Sequence, residues 1–321
     1  MTGAEVRELV GRMLRGEMDT PAIRDALMQI ERDGVGAEQI AAGAAVMREN
    51  MVRVDVPDGA IDIVGTGGTG LKTLSISTAT ALVVAACGVP VAKHGNRGAS
   101  SPAGTADTLS ELGVDISMTP ERASAAVGEI GIGFLYAPTY HPALRHVAAA
   151  RKAIGTRTLF NRLGPLCNPG GVTNMLMGVA VRDELEPMAE ALAEVPGMSA
   201  WVVRGRDGLD EITVTDATDV VIVEGGRCTP STVDVEAMGL ERQSLDALAG
   251  GAPDMNAHAL RELLDSKRGA YRDIVLLNAA AALQIATHSM GWEEPMARAA
   301  DAIDSGAAKA KLVELVAWSR G

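Results

Sequence analysis

From residue 60 onward, short β-branched and apolar runs alternate with helical stretches, and this alternation leaves few architectures open. Runs at 61–64, 89–92, 133–136, 176–181, 200–203 and 220–223 read as strands. Stretches near 78–87, 104–112, 120–130, 184–194, 257–264, 271–286 and 293–303 read as helices. Such alternation implies a mostly parallel sheet with helices on both faces. Residues 1 to about 55 differ. Val6, Leu9, Val10 and Met13 recur at helical spacing, as do Ile23, Leu27 and Ile30. Thr20-Pro21 and Gly34-Val35-Gly36 punctuate them, and no strand pattern precedes residue 60. The expected fold is therefore α/β, a mostly parallel central sheet flanked by helices, with a small all-helical N-terminal domain. A chain of 321 residues can bury the core this requires, as one large domain or two smaller ones. Neither an internal repeat nor a low-complexity tract is visible.

In open α/β sheets, ligands sit beyond the carboxyl ends of the strands. Residues 63–106 pass through that edge and hold no Asp or Glu, although the chain has 41 of them and a net charge of −12. Chance would place roughly five there. The segment holds instead Gly65-Thr66-Gly67-Gly68-Thr69-Gly70, the hydroxyls of residues 75–78, Lys93-His94-Gly95-Asn96-Arg97, and Ser100-Ser101. Backbone N–H groups, hydroxyls and cations without a competing anion suit a phosphate group.

The glycine turn fits G-x-G-x-x-G after a strand, but the acidic residue that a dinucleotide site needs about 20 positions later is missing until Asp107. It also misses the P-loop pattern, because Leu71 stands at the lysine position and Lys72 comes one residue late. A nicotinamide enzyme and a nucleotide triphosphatase are both disfavoured, and anion binding is preferred over a plain tight turn. Ser77-Thr78 precedes an apolar helix and reads as its N-cap, a role compatible with phosphate or metal-bound diphosphate at the same helix end. His141 and Arg151 flank an amphipathic helix. His141 and His146 are five apart, which does not put them on one helical face, so a metal pair is disfavoured. From the residues alone Arg151 reads more readily as a solvated helix charge than as a ligand group. Asp210-Glu211 lies in a loop after a strand, where adjacent carboxylates suit Mg²⁺, a hard ion that binds few carboxylates plus substrate phosphates.

Composition excludes other classes. With 2% aromatic residues the chain lacks the stacking platforms of single-stranded nucleic-acid binders, and its acidity opposes nucleic acid and anionic membranes. Cys87, Cys167 and Cys228 are odd in number and far apart, suggesting neither a zinc site nor a disulfide framework. The first fifteen residues have no signal-peptide pattern and no apolar run is long enough to span a bilayer. The expected location is cytoplasmic.

Four ordered segments carry a resemblance. They are Lys-His-Gly-Asn-Arg at 93–97 with Ser-Ser-x-x-Gly-x-Ala-Asp at 100–107, and Phe-Leu-Tyr-Ala-Pro-x-Tyr-His-Pro at 134–142. Arg-Thr-Leu-Phe-Asn-Arg-Leu-Gly-Pro-Leu-Cys-Asn-Pro at 157–169 and Asp-Gly-Leu-Asp-Glu at 207–211 follow. Together they resemble the anthranilate phosphoribosyltransferases of tryptophan biosynthesis, from about Asp62 through Glu211. The resemblance implies a homodimer with the fold of class II nucleoside phosphorylases. It implies a helical domain of residues 1–61 with part of about 150–172, and an α/β domain of residues 62–149 and 173–321. The implied substrates are anthranilate and 5-phosphoribosyl 1-diphosphate (PRPP), with Mg²⁺.

By position, Gly65, Thr66, Gly67, Gly68, Thr69, Thr73, Ser75, Ser77, Thr78, Lys93, Asn96 and Ser101 would hold PRPP. Gly65, His94, Asn96, His141, Arg151, Gly164 and Pro165 would receive anthranilate, with Arg151 on its carboxylate. Asp210, Glu211 and the Ser77 hydroxyl would bind Mg²⁺. The sequence departs from the family's pattern at Thr69, where Asp is usual, at Ser75, where Asn is common, and at Pro102-Ala103, where Lys-Ser is usual. All three touch the PRPP side. Alternative readings are a pyrimidine-nucleoside phosphorylase of the same fold and a non-catalytic nucleic-acid-binding paralogue.

Overall fold

The computed structural model describes residues 1–98 and 102–321. Its strands are β1 (Ile61–Gly65), β2 (Val91–Gly95), β3 (Ile132–Tyr136), β4 (Asn174–Gly178), β5 (Ser199–Gly205), β6 (Thr218–Glu224) and β7 (Arg227–Val233). They form one sheet in the order β3-β2-β1-β4-β5-β6-β7. The first five are parallel, and β6 and β7 add on antiparallel. The mostly parallel sheet expected from the alternation is present. From β1 the chain moves outward to β2 and β3, then returns to lay β4 on the other side of β1. That reversal opens a crevice at the carboxyl ends of β1 and β4, the place where such sheets bind ligands.

Before the sheet come α1 (Gly3–Leu14), α2 (Thr20–Asp33) and α3 (Ala37–Glu49). The Thr2 side chain caps α1 in a capping box with Glu5, and Asp19 caps α2 just ahead of a first-turn proline. Between the strands lie α4 (Ile76–Ala86), α5 (Thr105–Glu111), α6 (Pro120–Glu129), α7 (Ala137–Tyr140), α8 (Arg145–Ile154), α9 (Leu159–Leu163) and α10 (Leu185–Ala193). The chain ends in α11 (Pro253–Leu264), α12 (Ala270–Thr287), α13 (Glu293–Asp304) and α14 (Ala307–Arg320).

Alternation along the strands builds two cores, one on each face. Ile61, Ile63 and Leu176 face α4, α5 and the C-terminal helices. Met175, Met177 and Val202 face the other way, into one apolar cluster with α10 and the N-terminal helices. The N-terminal helices are therefore continuous with the sheet's own core.

Four details differ from the sequence reading. β7 was not anticipated, because it buries only Val233 and shows no apolar alternation. Its signal is Gly225-Gly226, with φ of 56° and 74°, the two-residue turn that closes a hairpin. α14 follows α13 after Gly306 and buries Ala308, Leu312, Leu315 and Ser319. Ser77-Thr78 is not the N-cap of α4. That position is Ser75, which makes no side-chain cap bond, and Ser77 and Thr78 lie inside the first turn. The Ser75 hydroxyl is held elsewhere, by Thr108 Oγ1 at 2.8 Å and Asn256 Nδ2 at 3.3 Å. Arg151 lies within the last turn of α8 rather than flanking it, because the helix runs on to Ile154 and ends only at Gly155, with φ of 69°.

Candidate active site

β1 runs out into the glycine turn at the crevice. Gly67, Gly68 and Gly70 have φ of 60°, 79° and 76°, backbone that a side chain rarely adopts. The Thr66 N–H donates to Gly178 O at 2.9 Å, and Thr66 Oγ1 accepts from Ala180 N at 3.1 Å. The Gly67 N–H donates to Asp210 Oδ2 at 3.1 Å.

Register explains how that carboxylate arrives. Gly65 pairs with Gly178 across β1 and β4. A Cβ on Gly65 would stand 2.5 Å from Asp210 Oδ2, and one on Gly178 would stand 1.6 Å from the Asp210 carbonyl oxygen. Two glycines side by side thus admit the loop between β5 and β6. The turn that carries no carboxylate of its own receives Asp210 from 143 residues away in sequence, with Glu211 beside Lys93 and the Ser77 N–H.

Asp210 and Glu211 are half-buried. Burial pushes Asp210 up, against the Gly67 N–H and the Arg157 charge. Burial and then the Asp210 charge push Glu211 up to about 8, with Lys93 and the Ser77 N–H pulling the other way. Lys93, 3% exposed, donates Nζ to Ile63 O at 2.5 Å and to Ser77 Oγ at 3.3 Å. Burial lowers its pKa, and the Asp62 and Glu211 charges oppose that. Thr78 Oγ1 is buried nearby in α4 with no hydrogen-bond partner among the described residues.

Lys93 and His94 are neighbours near the end of β2, just before Gly95, so their side chains point to opposite faces. His94 meets His141, with ring centroids 5.2 Å apart. Burial, then repulsion from His141, lowers His94 to about 3, opposed by a backbone hydrogen bond at Gly164. Burial lowers His141 to about 4. Both imidazoles are neutral at pH 7, and each has a buried Nε2 with no partner among the described residues. Beneath them Asp62 accepts from His94 N at 3.1 Å and from Asn168 Nδ2 at 2.8 Å. Burial pushes this carboxyl up to about 6, with Lys93 opposing.

Gly164 opens a 3₁₀ turn with Pro165 buried behind it. Arg151 stands over the Phe160 ring at 5.6 Å and pairs with no carboxylate among the described residues. Burial lowers its pKa. Asn96 is exposed after β2, its side chain accepting from Arg97 N at 2.8 Å. Thr69 Oγ1 accepts from Leu71 N at 3.1 Å, and the Thr73 carbonyl takes Asn256 Nδ2 at 3.4 Å. Ser101 lies outside the described residues.

The structure thus gathers Gly65, Gly67, Ser77, Lys93, Asp210 and Glu211 into one cluster, and His94, His141 and Gly164 into another. Among the described residues no hydrogen bond or ring contact joins Arg151, Asn96 or Thr69 to either. Sequence reasoning missed Gly178, whose role depends on register, and Asn256 and Tyr271, which brace Ser75 from α11 and α12. It passed over Asn168 inside the 157–169 segment.

The carboxylate pair fits a hard divalent cation. Two adjacent acids, one pushed up to about 8 by burial and its neighbour's charge, form a negative place that a cation relieves. Among the described residues no group of three or more His, Cys, Asp and Glu converges as a full metal cage. That is the donor set of Mg²⁺, which binds by one or two carboxylates and completes its shell with water and substrate phosphates.

A glycine turn beside a carboxylate pair, at the switch point of an α/β sheet, suits an enzyme that handles a phosphorylated sugar. In agreement, residues 58–309 match the glycosyl transferase family a/b domain. The chain belongs to the anthranilate phosphoribosyltransferase family. It is 49% identical over 319 residues to the anthranilate phosphoribosyltransferase of Beijerinckia indica, covering 99% of this chain and 93% of that one. The crystal structure of the Thermus thermophilus anthranilate phosphoribosyltransferase superimposes with a TM-score of 0.94 at 41% identity, covering 100% and 96%. The Saccharomyces cerevisiae anthranilate phosphoribosyltransferase in complex with PRPP and Mg gives 0.91 at 27%, covering 99% and 93%. The same yeast enzyme in complex with 4-fluoroanthranilate gives 0.90 at 26%, with the same coverage.

Proposed function

We propose that the two clusters are the two halves of one active site, with PRPP on the glycine turn and anthranilate beside the histidines. The enzyme transfers the phosphoribosyl group of PRPP to the amine of anthranilate, giving N-(5-phosphoribosyl)anthranilate and diphosphate, in tryptophan biosynthesis. The observation that carries this reading is the meeting of Asp210-Glu211 with a turn that has no carboxylate of its own.

The C1–O bond to diphosphate breaks, with its electron pair leaving on the diphosphate. The lone pair of the neutral aromatic amine forms the new C1–N bond, and the nitrogen then gives up a proton. The turn's N–H groups, the residue 75–78 hydroxyls, Lys93 and Asn96 hold PRPP. Asp210 and Glu211, with Ser77, hold Mg²⁺. When bound, Mg²⁺ stabilises the negative charge that develops on the departing diphosphate. His94, Asn96, His141, Gly164 and Pro165 line the acceptor side, where the buried imidazole nitrogens offer partners for the amine. Arg151 takes the carboxylate through two parallel hydrogen bonds. Because the acceptor is already a nucleophile, catalysis comes mainly from positioning.

The finer organisation is part of the same reading. Residues 1–61 with part of about 150–172 form the smaller unit, and 62–149 with 173–321 the larger. The enzyme is a cytoplasmic homodimer, a proposal resting on the family resemblance and, for location, on three free cysteines. Among the described residues no helix is long and apolar enough to cross a membrane. Light scattering at twice the chain mass tests the dimer.

The deciding assay is loss of anthranilate fluorescence with PRPP and Mg²⁺, with a metal-free control. Metal-dependent loss is expected, and the Asp210→Ala/Glu211→Ala double variant should abolish it. Full activity of the double variant would remove the carboxylates from the metal role. Turnover of nucleosides with phosphate in place of anthranilate would return the phosphorylase reading.

A further inference from the structure

An ionic path runs from the N-terminal helices to the glycine turn. Arg162 in α9 donates Nη1 to both oxygens of Glu31 in α2, at 3.0 Å each. Its Nε lies 2.8 Å from Glu184 Oε1. Glu184, with a side chain 7% exposed, also takes Arg157 Nη2 at 3.0 Å. Arg157 then donates Nη1 to the carbonyl oxygen of Gly67 at 2.7 Å.

That last contact has a stereochemical consequence. No peptide in the described structure is cis, so the Gly67 carbonyl and the Gly68 N–H point in opposite directions from one plane. Two glycines in succession can rotate that plane at little steric cost. Fixing the Gly67 oxygen toward Arg157 turns the Gly68 N–H the other way. Gly68 is exposed, and its N–H has no partner among the described residues. On its other side Gly67 is tied by its own N–H to Asp210.

Charge pairing with Glu184 does not by itself account for the second arm of Arg157, whose Nη1 bond reaches the carbonyl oxygen of Gly67 in an exposed turn, not the core. A guanidinium can serve two separated acceptors from one planar fork, whereas an ammonium acts as a point charge.

We infer that Arg157 is a positioning residue, locking the Gly67–Gly68 peptide so that the Gly68 N–H faces the diphosphate of PRPP, and that Glu184, Arg162 and Glu31 hold Arg157 in that role. This rests on the glycine turn being the PRPP cradle.

The test measures PRPP affinity by calorimetry with Mg²⁺, KM for both substrates, and melting temperature, for wild type, Arg157→Gln, Arg157→Lys and Glu31→Gln. Arg157→Gln should weaken PRPP binding about tenfold, the scale of one charge-assisted hydrogen bond. Its KM for anthranilate should stay within about twofold, because no acceptor-side residue is touched. Arg157→Lys should recover only part of the affinity. Glu31→Gln should weaken PRPP binding about threefold, and should add nothing once Arg157 is gone, since the two act through one path. Wild-type PRPP binding with an unaltered Arg157→Gln sinks the inference alone. So does an equal loss of affinity for both substrates that tracks lost stability. If Arg157→Gln fails to fold, unchanged PRPP affinity in Glu31→Gln is the overturning result. Wild-type protein that binds no PRPP sinks the cradle and the inference together.

Discussion

Arg151 carries its charge into a half-buried place with an aromatic ring beside it and no carboxylate partner among the described residues. A guanidinium so placed awaits an anion. Arg151→Ala should raise KM for anthranilate about 10- to 100-fold, the range of charged hydrogen bonds, while KM for PRPP changes little. Equal effects on both would remove the assignment. His94 and His141 make a second, independent statement. Both are held neutral well below their ordinary pKa, at about 3 and about 4. The unfolded chain therefore binds more protons below pH 6.5, and stability present above 6.5 is lost as pH falls through the folded values. At pH 5 each histidine costs roughly 2 kcal/mol. Asp62, raised to about 6, acts with the opposite sign. It gains stability as pH falls from about 6 toward 3.8, and offsets part of the loss. Glu211, raised to about 8, acts in the same direction as Asp62 across the window. The histidine share is therefore read by difference: the change in melting temperature from pH 7 to pH 5 should be more favourable in His94→Gln or His141→Gln than in wild type. The same pH dependence in wild type and in both variants would contradict it.

The pairing of β1 with β4 sets the geometry of the metal half. Gly65 against Gly178 leaves the gap that Asp210 enters, and one methyl at Gly178 would overlap the Asp210 backbone. Gly178→Ala must push the β5–β6 loop away from the turn. A displacement of about 1 Å is worth roughly 100-fold in rate, so activity should fall by at least that much while the circular dichroism spectrum is kept. Wild-type activity in this variant would mean that the loop position is unimportant. Elements with strong apolar periodicity were legible from the sequence, β1 through β6 and most helices among them. β7 was not, because an exposed edge strand has no buried face to impose alternation. The cap of α4 was misread for a related reason. Ser75, Ser77 and Thr78 are all plausible caps, and contacts from Thr108 and Asn256 in α5 and α11 decide which hydroxyl goes where.

Across the molecule, the N-terminal helices share one apolar cluster with a face of the sheet. A helical segment built into that cluster should not melt separately. Trp201, Trp292 and Trp318 all lie outside the N-terminal helices, and Trp201 and Trp292 pack against the other core, so tryptophan fluorescence follows mainly the α/β body. Urea unfolding by tryptophan fluorescence and by far-ultraviolet circular dichroism should give one midpoint. Two separated transitions would show that the N-terminal helices fold as an independent unit. The ionic path from Glu31 to Gly67 crosses the same boundary, and would make PRPP binding sensitive to the placement of the helical layer.

Local pattern was enough for the alternating elements, the glycine turn and the clearing of carboxylates from residues 63–106, since propensity, periodicity and charge act over short distances along the chain. The four ordered segments were enough for the family. The tertiary structure decided which distant groups face that cleared segment. Asp210 reaches the turn because β1 and β4 pair in a register that sets glycine beside glycine, and register is fixed by how the apolar residues of both strands pack on the two faces of the sheet, not by either strand alone. Asp62 and Asn168 beneath His94, Arg151 over Phe160, and Arg157 on the Gly67 carbonyl share that origin. Each joins residues from separate elements, and a sequence records their spacing along the chain but not their meeting.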